Sequence, residues 1–364
     1  MSEARPEIED SAWPRPSEIA ERPLITAIIP TFRRPKLLRR AITSVLRQTY
    51  SHFQVCVYDN ASGDETASVV QELAAADPRV LYHCHEQNIG GMANYRYGFE
   101  HVETPFFCTL GDDDALLPNF FEMALEGFER HPEAACSVCS VLFLDNRGRV
   151  TGAATRWPAG IYRPPQAALT LLANGGSWQA MLFRQEVLEV TGPLDVEKAG
   201  PAADLDFVMR LSLLQALVAR PDPGALVRMD EGSWTHAFRF DDVIPRVNTT
   251  VQKIEADERI PGTDRSRVAG ELHSHLGRRA VLFGKKSAIA GDWENVARYA
   301  ACLEEEFHLP LQAFLLRATR VMCRSFPPLV LGLRLARRAR RAYLRLRWLP
   351  TSRRYGSSIQ VAGD

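Results

Sequence analysis

Three aspartates stand side by side in this chain, Asp112-Asp113-Asp114, just after the run Pro105-Phe106-Phe107-Cys108-Thr109-Leu110-Gly111. The apolar run predicts a buried strand. Adjacent carboxylates repel one another and lose solvation if the fold encloses them, so they call for water or a cation. A hard divalent ion such as Mg2+ takes oxygen ligands and leaves coordination positions for phosphate oxygens. At the mouth of a strand, the triplet therefore suits a metal–diphosphate. An exposed acidic turn needs no such partner, and only the surrounding elements decide between the two.

Those elements alternate. Leu24 to Ile29 is apolar and β-branched and meets Pro30, which predicts a buried strand and then a turn over Thr31-Phe32-Arg33-Arg34-Pro35. Leu38, Ala41, Ile42, Val45 and Leu46 recur at helical spacing, so a helix is expected from Pro35 to about Gln48. Phe53–Tyr58 predicts a second strand, Thr66–Ala76 a helix, Arg79–His83 a third strand and Met92–His101 a helix. The run before the aspartates is the fourth strand. Further on, a strand is expected at Ala134–Asp145, an apolar segment stands at Met181–Phe183, and helices are expected at Gln166–Asn174, from Gln185, and over Ala203–Leu211 with Asp204 in its first turn. Strand–helix alternation argues for an α/β domain with a mostly parallel sheet, whose ligands bind beyond the carboxyl ends of strands. Pro30-Thr31, Asp59, Asn88 and Asp112–Asp114 all come after expected strands, so four polar loops should meet at one edge.

The chain has 364 residues, 46% hydrophobic and 24% charged, with a formal net charge of zero. That composition suits a globular protein with a real core and names no polyanionic partner overall. Seven cysteines without framework spacing suit reduced thiols in a cytosol. Cys136 and Cys139 are spaced C-x-x-C, but no second pair stands at zinc spacing, so core packing is the expectation. Residues 1–22, rich in proline and acids, are expected to form a flexible lead-in. No window of about 20 uncharged apolar residues predicts a membrane span. After Glu306 no acid appears until Asp364, while arginines interleave with Leu, Phe, Tyr343 and Trp348. Residues 307–364 thus read as a basic amphipathic region suited to an anionic membrane surface, with Pro327-Pro328 breaking its helix. Nucleic acid is not expected as a partner, because no nucleic-acid-binding fold accompanies the charge.

Taken in order, the segments Ile25–Pro35, Ser44-Val45-Leu46-Arg47-Gln48-Thr49, Tyr58–Thr66, Asn88-Ile89-Gly90 with Asn94, Gly111–Asp114, Gly192-Pro193-Leu194-Asp195 and Asp204-x-Asp206 with Arg210 resemble the family 2 inverting glycosyltransferases. The resemblance runs from about Leu24 to His236. It implies a GT-A-type, Rossmann-like, mostly parallel sheet flanked by helices over residues 23–245. A helical C-terminal extension at 246–306 would precede the basic region. The same resemblance implies a nucleotide-diphosphate sugar donor, a glycan or lipid-linked acceptor, and Mg2+ or Mn2+. Thr31, with Pro30 and Arg33 in its loop, would touch the nucleotide, as would Asn88. Asp59 would accept hydrogen bonds from the base. Asp112 and Asp113 would lie by the ribose and sugar, Asp114 with Asp112 would hold the metal, and His236 would reach the metal or diphosphate. Asp204 would be the general base, and Asp206 the structural acid, paired with Arg210 at i,i+4.

Three departures stand out: Arg33 replaces a frequent Asn, Ala203 replaces the Glu that often precedes the base, and His236 lacks the Gly-Ser that usually follows it. The placement expected is cytoplasmic, at the inner face of the plasma membrane. A sugar-phosphate nucleotidyltransferase would share a related sheet, but residues 30–35 hold no glycine to cradle a triphosphate. A non-catalytic nucleotide-sugar-binding protein would not need both the triplet and Asp204.

Overall fold

In the computed structural model, β1 (Ile25–Thr31) is buried at every position. A strand covered on both faces of a parallel sheet needs such a continuous apolar run. Its neighbours are β2 (Phe53–Asp59) and β4 (Phe106–Thr109), both parallel to it, and β3 (Val80–Cys84) extends the parallel array past β2. The crossovers are α1 (Pro35–Leu46), α2 (Thr66–Ala76) and α3 (Gly91–Glu100). Contrary to the expected stop, Pro30 continues β1. Alternate residues of β1 face β4, and the ladder to β4 ends with Leu110 N donating to Ile28 O at 2.9 Å. Pro30 is the first such residue past that end, so its missing N–H breaks no ladder bond.

The structure describes residues 24–154, 157–229, 240–356 and 358. The expected lead-in at 1–22 lies outside them. The chain falls into two compact units, residues up to 233 with those from 350 onward, and residues 234–349. The first holds one sheet in the order β3-β2-β1-β4-β9-β6-β10-β5. Here β5 is Ala115–Leu116, β6 Ala134–Leu144, β9 Met181–Arg184 and β10 Ala216–Arg228, while β7 (Val150–Ala154) and β8 (Gly160–Tyr162) flank β6 and β10. Strand β10 runs parallel to β6; β5 and β9 are antiparallel to their partners. Parallel pairing is thus confined to the β3–β4 block and the β6–β10 pair. The first unit is completed by α4 (Phe120–Arg130), α5 (Gln166–Asn174), α6 (Val187–Thr191) and α7 (Ala203–Leu214). The second unit is helical, with helices Phe240–Ala256, Gly262–Ala290, Trp293–Glu305, Pro310–Ser325 and Pro327–Arg347. The break at Pro327 falls where the sequence placed it, and residue 306 lies inside this unit.

Strand β10 defies its own local chemistry. Pro221-Asp222-Pro223-Gly224 has the composition of a turn, yet the strand bulges there and pairing resumes at Pro223–Ser140. Gly224 lets it pass close to α4, since a Cβ there would sit 2.5 Å from Phe120 Cδ2.

The Ser44–Thr49 segment clamps the stretch just beyond the aspartates. Ser44 Oγ accepts from Leu116 N at 3.0 Å. Gln48 Nε2 donates to Leu117 O at 2.7 Å and its Oε1 accepts from Phe121 N at 3.0 Å. Gln48 is buried, so the Phe121 N–H relies on it, whereas Leu117 O also accepts from Phe120 N at 3.1 Å. Gln48→Leu should leave the Phe121 N–H unsatisfied, while Leu117 O keeps its bond from Phe120 N, and cost about 2 kcal/mol in urea unfolding. A loss under about 0.5 kcal/mol would show that the clamp carries no energy.

Candidate active site

All four strands of the parallel block end at the same edge, and the strand order reverses at β1, between β2 and β4. A crevice forms at such a switch point. Across it, Thr31 Oγ1 donates to Asp112 Oδ2 at 2.8 Å. Arg34 Nη1 reaches Asp112 Oδ1 at 3.2 Å and Asp113 Oδ2 at 3.1 Å. Arg33 N donates to Ser62 Oγ at 2.8 Å and Arg33 Nε to Ser62 O at 3.0 Å. These two bonds tie down a residue with φ of +55°, the left-handed region that Asn tolerates better than Arg. That conformation accounts for the position at which the family resemblance shows a frequent Asn.

The aspartates are not an exposed turn. Asp112 and Asp114 are only 7% and 6% exposed. Burial, reinforced by Asp113 and opposed by Arg34 and Thr31, pushes the Asp112 carboxyl up to about 6. Asp114 is held well above the ordinary carboxylate range, first by burial and then by Asp113; Arg228 N and the Gln179 side chain oppose the shift. Arg228 N donates to Asp114 Oδ1 at 2.9 Å, so β10 fixes that carboxylate. Gly111 leaves room for the folded-back acids. A Cβ there would lie 2.9 Å from Asp114 Oδ2 and 3.1 Å from Asp113 Oδ1.

Asp59, also buried, closes β2. Its Oδ1 accepts from Ser62 N at 3.0 Å and Ser62 Oγ at 2.5 Å, and its Oδ2 from the Tyr82 phenol at 2.7 Å. The Cys84 thiol stands 3.8 Å from Oδ2. Next to it, Asn60 Nδ2 donates to Asn88 Oδ1 at 3.1 Å and Asn60 N to Thr31 O at 3.0 Å. The four expected loops therefore meet through named hydrogen bonds. His83 rests on the Tyr97 ring and His85 bonds Asn94, both as packed side chains.

Asp204 lies in the first turn of α7, where its Oδ1 accepts from Leu205 N at 2.7 Å. The Tyr95 phenol feels the charges of the triplet and of Asp204. Burial holds that phenol protonated well past its ordinary range, followed by the charges of Asp112, Asp114, Asp113 and Asp204. The Tyr95 ring packs against Trp178 with centroids 4.9 Å apart. Asp206 points elsewhere: it is fully buried and holds Arg210 through Nε at 3.0 Å and Nη2 at 2.9 Å, the pairing expected. His236 lies outside the described residues. Tyr95, Gln179 and Arg228 carried no signal in the sequence, because each reaches the site from a distant element, and Arg34, although in the expected β1 loop, was given no role.

The donor set fits a divalent cation. Two buried carboxylates with raised proton affinity offer hard oxygen ligands whose repulsion a cation would relieve. Among the described residues no three His, Cys, Asp or Glu side chains form a ready cluster. Mg2+ commonly takes only one or two carboxylates and completes its shell with water and phosphate.

Residues 26–192 match the family model described as glycosyl transferase family 2. Chondroitin synthase of Escherichia coli is 24% identical over 262 residues, covering 70% of this chain and 33% of that protein. GalNAc(5)-diNAcBac-PP-undecaprenol beta-1,3-glucosyltransferase of Campylobacter jejuni is 36% identical over 96 residues, 26% of this chain and 31% of that protein. The chain thus spans about a third of the length of these curated relatives. Among solved structures, S. aureus TarS 1-349 in complex with UDP-GlcNAc superposes with a TM-score of 0.60 at 16% identity, over 82% of this chain and 88% of that one. These findings support a GT-A-type glycosyltransferase fold.

The Asp112 carboxyl, up to about 6 when folded, binds its proton more tightly than in the unfolded chain. Its stabilising contribution is therefore complete below the unfolded value and is lost as pH rises through the folded one, on the order of 3 kcal/mol. Without metal, Asp112→Asn should be more stable than wild type at neutral pH, and the gap should close as pH falls from about 6 towards about 4. A pH-independent gap in denaturant unfolding would contradict this.

Proposed function

We propose that this chain, a member of glycosyl transferase family 2 through residues 26–192, transfers a sugar from a nucleotide-diphosphate donor to an acceptor hydroxyl with inversion. The observation that carries the reading is the meeting of β1, β2 and β4 loops around two buried aspartates at the switch point. The resemblance supplies the roles. Thr31, Pro30 and Arg33 line the nucleotide side with Asn88. Asp59 has its Oδ1 filled by Ser62 but can take a base donor at Oδ2 in place of the distant Cys84 thiol. Asp112 and Asp113 face ribose and sugar.

In the step itself, the acceptor oxygen attacks the anomeric carbon from the face opposite the diphosphate. The new C–O bond forms as the bond to the diphosphate oxygen breaks. The hydroxyl proton passes to the Asp204 carboxylate, which needs only to lie within hydrogen-bond reach. Asp112 and Asp114 would hold Mg2+ or Mn2+, which supplies positive charge against the departing diphosphate. TarS with UDP-GlcNAc and a Pyrobaculum calidifontis mannosyltransferase with GDP-Man and Mn2+ make nucleotide sugars and Mn2+ the first reagents to try. The named relatives favour a glycan or lipid-linked acceptor, in polysaccharide or glycolipid synthesis.

Asp204→Asn should lower turnover by about a thousandfold while donor affinity stays within about twofold, since a base acts on the chemical step. Product analysis should show the anomeric configuration reversed. Near wild-type turnover in Asp204→Asn would move the base elsewhere, and retained configuration would exclude the single displacement.

A further inference from the structure

The helix Pro310–Ser325 is apolar on two sides, and only one is covered. Ala313, Leu316 and Cys323 are buried within its unit. Leu316 sits over Gly284 so closely that a Cβ at Gly284 would lie 2.5 Å from Leu316 Cδ1. That seat fixes the rotation of the helix. Helical spacing then turns Leu311, Phe314, Leu315 and Met322 to the far side, where they are 65%, 63%, 55% and 59% exposed. The next helix, Pro327–Arg347, presents Leu331, Leu335 and Leu346, also more than half exposed and again on one stripe. Large apolar side chains exposed singly are ordinary, but such stripes on two consecutive helices mark a contact surface.

The charge around these stripes names the partner. Residues 307–363 contain twelve arginines and no Asp, Glu or Lys. Arg324, Arg338, Arg340 and Arg347 are exposed. We propose that this two-helix face docks on an anionic lipid surface, with the leucine and phenylalanine side chains in the acyl boundary and the arginines at the headgroups. Among the described residues no helix is long and apolar enough to cross a membrane, so the helices lie along the surface. A second copy of the chain fits worse, because a two-fold interface would set arginine against arginine. A nucleic acid would satisfy the charge but leave the apolar stripes uncovered.

The test is co-sedimentation of the full chain with phosphatidylcholine vesicles, with and without phosphatidylglycerol. Binding should require phosphatidylglycerol and persist in part at high salt. Arg338→Gln and Arg340→Gln should each weaken partitioning about fivefold, the equivalent of about 1 kcal/mol per charge. Phe314→Ser with Leu315→Ser should remove the salt-resistant part. The melting temperature should not move, because these side chains are exposed. Equal pelleting with both vesicle types would overturn the proposal. So would a dimer in sedimentation velocity that Phe314→Ser with Leu315→Ser dissociates, which would assign the face to self-association. The vesicle readout involves no sugar transfer and so stands or falls apart from the proposed reaction.

Discussion

Like charges enclosed at the end of β4 are the constraint around which the first unit is arranged. Asp112 and Asp114 are buried beside Asp113, and their proton affinities are raised by that burial. Left alone, such acids would swing into solvent. Instead, the chain restrains them from four directions. Thr31 and Arg34 hold Asp112 from the β1 loop, and Arg228 N holds Asp114 from β10. Gly111 allows the acids to fold back, and Ser44 and Gln48 fasten the segment beyond them. A site that keeps repelling groups together for a ligand sacrifices stability in the ligand's absence.

The same constraint explains the topology near the site. Parallel strands β1 to β4 carry their loops to one edge, but the triplet is anchored by the antiparallel and bulged part of the sheet. Strand β10 has to reach past α4, pair with β5 and present the Arg228 amide. Its bulge at Pro221–Pro223 and the close passage at Gly224 are the local irregularities that this requires. On the other side, the Tyr95–Trp178 ring contact bridges α3 and the segment before β9.

How much was legible in the sequence depends on the range of each interaction. Strands β1, β2, β3 and β4 announce themselves by short runs rich in apolar residues, and the turn residues after them show where polar groups must emerge. Asp206 and Arg210, four residues apart on a helix, were readable as a pair for the same reason. Strand β10 was not, because its Pro-Asp-Pro-Gly centre is locally a turn and only pairing with β6 and β5 overrides that preference. Helix α4 went unread between the triplet and β6, although Phe120, Phe121, Ala124 and Phe128 have helical spacing. Tyr95, Gln179 and Arg228 act across long sequence separations, and no local pattern marks them. The departure at Arg33 became intelligible only with its positive φ.

The central claim is that the triplet binds a nucleotide diphosphate together with a divalent cation. The most direct measurement is titration calorimetry of UDP-sugars and GDP-sugars into the full chain, with Mn2+ and then with chelator, for wild type and Asp114→Asn. The account predicts saturable binding of at least one donor to wild type with Mn2+, lost on chelation and weakened at least tenfold in Asp114→Asn. Donor binding of equal strength with chelator, or in Asp114→Asn, would contradict it.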